Sequence, residues 1–405
     1  MNNNFIIWLK NSRAAKRYSI AAFILCIGYY VLETINGRAQ MADFQVYYGA
    51  ANAFIDGTPV YGRAFGVSDV GFFKYSPFAA LPFVPFALLP YTPASIIYYL
   101  IMTVAFILWP LYLFFYLTSK HISIDLKKTG IVIFLSVLFL ADHIERELHL
   151  GNINLMLLIM CFASYHALCR GKQWQSGIWM GIILLFKPHF AILLPYLFWK
   201  QKWKAFFSTA ATMVIGMVLP AIFKGWSQNM TIFFQWIEAM REHNTSLEDS
   251  PNTIYGLVNN YLLGENGGPL LVAILLCIVA LLFMWLLIRN QRITQNTDIR
   301  FIEFFVLVAA IPNLTHTDTE HFMWTWPLIM YSILVLTSGN LRNIWPSVIL
   351  MTLSFIPFCL NSPDIVGRTL RDLFDEGGLL GLANILLIIN AIYLCLRLQV
   401  PQSTK

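Results

Sequence analysis

Charge is scarce in this chain of 405 residues: Asp, Glu, Lys and Arg make up 12% of it, against 58% hydrophobic residues. Soluble proteins carry about a quarter charged and about half apolar residues, so neither a soluble multidomain enzyme nor a disordered tail fits. Cysteine is sparse as well. The six cysteines, Cys26, Cys161, Cys169, Cys277, Cys359 and Cys395, all lie in or beside hydrophobic segments without CxxC spacing, which argues against a disulfide framework and a thiolate metal site. No low-complexity linker and no convincing internal repeat is found. The basic N-terminal stretch (Lys10, Arg13, Lys16, Arg17) is followed by no small-x-small cleavage site, and this segment is expected to be a retained anchor. The net charge of +6 matters less than its placement, and no nucleic-acid partner is expected.

Long apolar runs are plentiful. "YSIAAFILCIGYYVL" (from Tyr18), "IVIFLSVLFL" (from Ile131), "LVAILLCIVALLFMWLLI" (from Leu271) and "LANILLIINAIYLCL" (from Leu382) approach the roughly 20 residues that cross a bilayer core. Segments near 18–36, 93–118, 129–142, 151–169, 174–187, 189–199, 205–223, 268–289, 301–313, 322–338, 344–360 and 379–397 are read as apolar spans. The expected fold is therefore an all-α polytopic membrane protein with about 10–12 transmembrane helices, forming a single integral membrane catalytic domain over 1–405. Most of the 27 basic residues, among them Lys127, Lys128, Arg170, Lys172, Lys200, Lys202 and Lys204, fall on one side of these spans, and nearly all acids fall on the other. The positive-inside rule then puts both termini in the cytoplasm. The chain between Arg170 and Lys200 must enter and return, with Lys187, Pro188 and His189 at the tip of a helical hairpin covered by protein. Two long outer loops result, 37–92 and 224–267.

The residues capable of acid, base or anion chemistry gather on that outer side. In "MADFQVYYGAANAFIDGTPVY", Asp43, Val46, Tyr47, Ala50, Ala51 and Phe54 share one helical face, so an amphipathic helix at the outer membrane surface is expected, with Asp43 in its first turn or as its N-cap. "FKYSPFAALPFVPFALLP" reads as a broken or surface-lying helix, and its Lys74 either snorkels or binds an anion. "DHIERELHLGNIN" is a dense ionisable loop whose Arg146 either pairs with Glu145 or Glu147 or meets an anion. In "SPNTIYGL", Asn252 either caps a helix or makes a polar contact of its own. "PNLTHTDTEHFMWTWP" gathers His316, Asp318, Glu320 and His321, but the two histidines are not spaced i, i+3 or i, i+4, so no metal is expected. Lys187, between an apolar helix and a proline, has no acid within its own hairpin. A buried ammonium there calls for an anion brought from outside, although water or a distant acid such as Glu145 or Asp318 remains an alternative.

Taken in order, these stretches resemble the polyprenyl-phosphate-sugar-dependent membrane glycosyltransferases of glycosyltransferase family 87, alpha-mannosyltransferase-like enzymes of the glycosyltransferase-C superfamily. The Asp-Phe-x-Val-Tyr-Tyr element at Asp43 is the most specific part. Two departures stand out: Gly151-Asn152-Ile153-Asn154 where that family usually has Gly-Gln-x-Asn, and Glu320-His321 where it often has Ser-Trp-x-His or His-His.

The resemblance implies a glycosyltransferase-C-like fold in a bacterial inner membrane, with its site facing the periplasm. It also implies transfer of a mannose-like hexose from a polyprenyl-phosphate carrier to a glycolipid or glycan acceptor. Asp43 would be the catalytic base and His321 a supporting catalytic residue. Lys74, Arg146, Lys187 and His189 would be donor-phosphate contacts. Tyr47, Asn154, Asn252, Asp318 and Glu320 would contact sugar or acceptor, and no cofactor is implied. The alternatives are a flippase for a lipid-linked glycan, disfavoured because the polar residues crowd one face and not the midplane, and a ligase using a diphosphate carrier.

Overall fold

The computed structural model describes residues 3–66, 71–122, 124–242, 250–263, 297–316, 318–339, 341 and 343–398. The expected span at 268–289 lies outside the described residues. The helices of ten or more residues are α1 (Arg13–Ile35), α2 (Ala42–Asp56), α3 (Tyr91–Lys120), α4 (Thr129–Phe139), α5 (Ala141–Leu150), α6 (Asn154–Cys169) and α7 (Gln173–Phe186), then α8 (Trp203–Val218), α9 (Trp226–Glu242), α10 (Thr297–Leu314), α11 (Trp326–Ser338), α12 (Trp345–Cys359) and α13 (Leu379–Leu398). A single antiparallel bridge, Ala64 to Phe72, is the only β pairing among the described residues.

The chain is an all-α polytopic membrane protein. Among the described residues, four helices are long and apolar enough to cross a bilayer: α1, α3, α8 continued to Lys224, and α13. The pair α5 and α6 makes a fifth candidate, bent by 112°. Most of the other apolar segments become shorter helices. The 11 residues of α4, at 1.5 Å each, reach about 17 Å, roughly half of a hydrocarbon core. Hydropathy registers composition and cannot tell a full crossing from a short buried helix.

The chain divides into two compact units. One comprises residues 19–109 and 145–244. Its tightest packing is α7 against α8, and small residues make it possible. A Cβ on Gly177 would lie 2.3 Å from the Ala205 carbonyl oxygen, one on Gly181 2.5 Å from Thr212 Cβ, and one on Gly216 2.2 Å from Leu185 Cδ1. Gly177 and Gly181 are four apart on one face of α7, the small-xxx-small arrangement by which helices approach closely in lipid. Nearby, Ser164 and Ser176 are buried and share a 2.9 Å hydroxyl contact.

The other unit comprises residues 1–18, 110–144 and 245–405. Here α13 packs on α10, α11 and α12. Asn384 of α13 donates to the Ala309 carbonyl and to Asn313 Oδ1, both at 2.7 Å. Asn313 in turn donates to the carbonyls of Asn252 (2.9 Å) and Gly381 (3.0 Å).

Candidate active site

Helix α2 forms as the apolar period requires, burying Phe44, Val46, Tyr47, Ala50, Ala51, Ala53 and Phe54. Its buried face meets the 77–87 segment, which is broken as its prolines dictate: a 3-10 turn Pro77–Phe83, then the short helix Val84–Ala87. Tyr47 stacks on Phe83 at 4.7 Å, and Phe44 on Tyr98 at 4.4 Å. Asp43 does not cap the helix. The N-cap is Met41, in left-handed backbone at φ 49°, with no side-chain cap bond. Asp43 sits within the first turn, where the helix dipole favours a carboxylate, and its side chain serves another purpose.

That purpose is set by the turn Gly151-Asn152-Ile153-Asn154, between α5 and α6. Gly151 has φ +67°, and a Cβ there would meet Met41 Cε at 2.8 Å and Phe44 Cβ at 2.9 Å. The start of α2 is thus pressed against this turn. Asn152 Nδ2 donates to Asp43 Oδ2 at 2.6 Å. Its Oδ1 accepts from the Ile153 backbone N–H (2.7 Å) and from the Tyr47 hydroxyl (3.1 Å). Tyr47 spends its one proton there, so at the 3.1 Å contact between the two hydroxyls Tyr75 is the donor. Burial, followed by the neighbouring Tyr75 and Asp43, pushes the Tyr47 phenol well above its usual range and keeps it a neutral donor.

The second asparagine does the same for a cation. Lys187 Nζ donates to Asn154 Oδ1 at 2.7 Å, and Asn154 Nδ2 donates to Glu147 Oε2 at 2.9 Å. Glu147 Oε1 also accepts from the Leu155 N–H at 3.0 Å, at the start of α6. Glu147 and Asn154 are fully buried and Lys187 is 5% exposed. The ammonium that has no acid in its own hairpin therefore has one across an amide, supplied by α5. The chain breaks at this point: α7 ends at Phe186, Lys187 is extended, and the 3-10 turn Pro188–Ile192 carries a part-buried His189. The buried Ser76 hydroxyl donates to the Leu185 carbonyl at 2.5 Å, tying the tip to the segment after Lys74.

Lys74 and Arg146 are both partly buried in this unit. The Lys74 carbonyl accepts from Trp236 Nε1 at 3.3 Å. Of the acids beside Arg146, Glu145 accepts from the Tyr29 hydroxyl and Glu147 belongs to the Asn154 link. Glu33, near the end of α1, pairs with Arg38 at 2.9 Å and His149 at 2.8 Å.

In the other unit, Asp318, Glu320 and His321 offer one ligand atom each, all within 4.8 Å of one another, a group able to hold a metal ion. His321 Nδ1 lies 3.0 Å from the Asp318 carbonyl oxygen, which leaves Nε2 as the acceptor nitrogen when Nδ1 carries the proton. The spacing of His316 and His321 speaks against a metal pair, and the structure turns His316 to Ser250. The ligand-forming set is the adjacent carboxylates with His321. Asn252 is used structurally: its Oδ1 accepts from the Gly381 N–H at 2.9 Å, and the helix cap beside it is Thr253, whose hydroxyl accepts from Gly256 N–H at 3.0 Å.

Two residues central to this geometry, Asn152 and Glu147, are not among those expected to form the site. The signal was present in part. In "HIEREL", His143 and Glu147 are i, i+4 on the buried side of α5, while Glu145 is exposed. The 109-residue separation of Asp43 and Asn152 leaves no local signal at all.

The sequence model of glycosyltransferase family 87 matches residues 72–315, which leaves Asp43 before the matched stretch and His321 after it. An alpha-(1->3)-arabinofuranosyltransferase of Corynebacterium glutamicum is 26% identical over 209 residues, 52% of this chain and 47% of that protein. The chain thus aligns with about half the length of this relative. No solved structure matches the chain. A family match over more than half of the chain, on an all-α membrane fold, makes this protein a member of glycosyltransferase family 87.

Proposed function

We propose that the protein transfers a sugar from a polyprenyl-phosphate carrier to a lipid or glycan acceptor at the outer face of a bacterial inner membrane. The observation that carries this reading is the Gly151–Asn154 turn, which holds a carboxylate at one asparagine and an ammonium at the next. Glycosyl transfer needs both signs. Asp43 takes the proton from an acceptor hydroxyl, whose oxygen then bonds to the anomeric carbon while the bond to the phosphate oxygen breaks. The departing lipid phosphate gathers negative charge, and Lys187, with Lys74, Arg146 and His189 as further contacts, stabilises it. A single displacement of this kind inverts the anomeric centre.

Tyr47 and Asn154 border this chemistry on the sugar side. Within the other unit, Asp318, Glu320 and His321 form a polar group suited to sugar hydroxyls, and no metal step is invoked. The basic residues collected on one side of the spans support cytoplasmic termini. The sugar is taken as a mannose-like hexose. The name of the corynebacterial relative favours a second reading, arabinofuranose.

The test is transfer of label by the purified protein in proteoliposomes, from polyprenyl-phosphate mannose or polyprenyl-phosphate arabinofuranose, into a membrane-lipid extract. Label should move from one of these monophosphate donors, with inversion. Transfer only from diphosphate carriers would replace this reading with a ligase.

A further inference from the structure

We infer that Asn152 is a positioning residue for Asp43: it aims the carboxylate and holds it ionised for proton abstraction. The inference rests on the reading of Asp43 as base and goes beyond it, because nothing in the reaction itself calls for an amide at this position.

The direction of the amide is forced by its neighbours. A backbone N–H can only donate, so the Ile153 N–H at 2.7 Å makes the atom it meets the oxygen of Asn152. The Tyr47 hydroxyl donates to the same oxygen. The NH2 group must then face Asp43 Oδ2, at 2.6 Å. A donor aimed at the charged form of a carboxylate favours that form, and such charge-assisted bonds are short and strong. The amide cannot swing away, because Asn152 is 4% exposed and its own carbonyl accepts from the Tyr98 hydroxyl at 3.3 Å. Nor can α2 withdraw from it, since Gly151 lies against Met41 and Phe44 without room for a Cβ. Oδ2 of Asp43 is thus tied to a rigid donor. This fixes where its second oxygen points.

The discriminating variant is Asn152→Asp, which keeps the shape and the oxygen that Tyr47 and the Ile153 N–H require. It replaces only the donor, setting a second carboxylate against Asp43. Two acids so close share a proton, and the pair ionises at higher pH. A base works when ionised, so activity rises as pH passes its pKa, and a raised pKa moves that rise upward. In proteoliposomes with the labelled polyprenyl-phosphate donor that the parent protein uses, the acidic limb of kcat/KM should therefore shift up by at least about one pH unit. Below the limb, kcat should fall about tenfold or more with donor KM within about twofold.

Asn152→Gln should bring the limb back toward the parent. If the Asp variant does not fold, as judged by its melting curve, Asn152→Ala removes the same donor and should shift the limb in the same direction. A parental limb in a folded variant lacking the donor overturns the inference, leaving Asn152 as a structural link of the turn. Substantial turnover by Asp43→Asn is a different result: it removes the base reading itself, and the positioning role with it.

Discussion

In one unit of the protein two buried asparagines bond to ionisable side chains, Asn152 to Asp43 and Asn154 to Glu147 and Lys187. In the other, Asn313 and Asn384 bond to each other and to the carbonyls of Ala309, Asn252 and Gly381, all of them neutral. The side chain and its burial are the same, but the chemistry differs. An amide among backbone carbonyls is a cross-link between helices, worth the modest net energy of a satisfied hydrogen bond. An amide among charges decides which way a carboxylate points and what compensates an ammonium.

The largest effect expected from this contrast is at Asp43. Asp43→Asn should lower turnover about 10²- to 10⁴-fold, with the melting temperature in detergent within a few degrees of the parent. A matching loss of stability would make Asp43 one more packing group. Next comes Lys187. Lys187→Met removes the ammonium that the Asn154 amide links to buried Glu147, which costs up to about 3–5 kcal/mol of stability, and it should weaken donor binding at least about tenfold. Adding Glu147→Gln should recover part of the stability and none of the donor affinity. A single variant as stable as the parent would mean that Glu147 and Lys187 do not compensate each other.

The opposite pattern belongs to the neutral set. Asn384→Leu should cost about 1–3 kcal/mol in a denaturation experiment while KM and the pH profile stay unchanged; a shifted profile would erase the distinction between the two sets. The smallest effect concerns Asp318, Glu320 and His321. Treatment with EDTA should change turnover by less than about twofold, and a loss restored by Mn²⁺ or Mg²⁺ would assign these three residues a cation.

The sequence made α2 legible because its apolar stripe repeats every turn, and the proline-broken segment 77–87 legible because proline stops a helix. It also conveyed the membrane architecture, since composition alone excludes a soluble chain. Helix α5 was not legible as a helix. Its charges read as a loop, whereas the structure makes it amphipathic, with His143 and Glu147 inward and Glu145 outward. The site was half legible: residue type singled out Asp43 and Lys187, yet what each touches depends on contacts 109 and 33 residues away along the chain. A rule of local spacing has no access to such contacts. For the same reason Lys187 alone suggested an unpaired ammonium, because its acid lies on a different helix.

The 109-residue separation of Asp43 and Asn152 also sets a clock. At synthesis rates of about 5–20 residues per second, α2 waits roughly 5–20 s before the turn that directs its carboxylate has been made. On the reading of Asp43 as base, a nascent chain in the membrane carries that carboxylate through the interval without the amide that aims it. A chain truncated before residue 152 is then expected to insert but be catalytically silent.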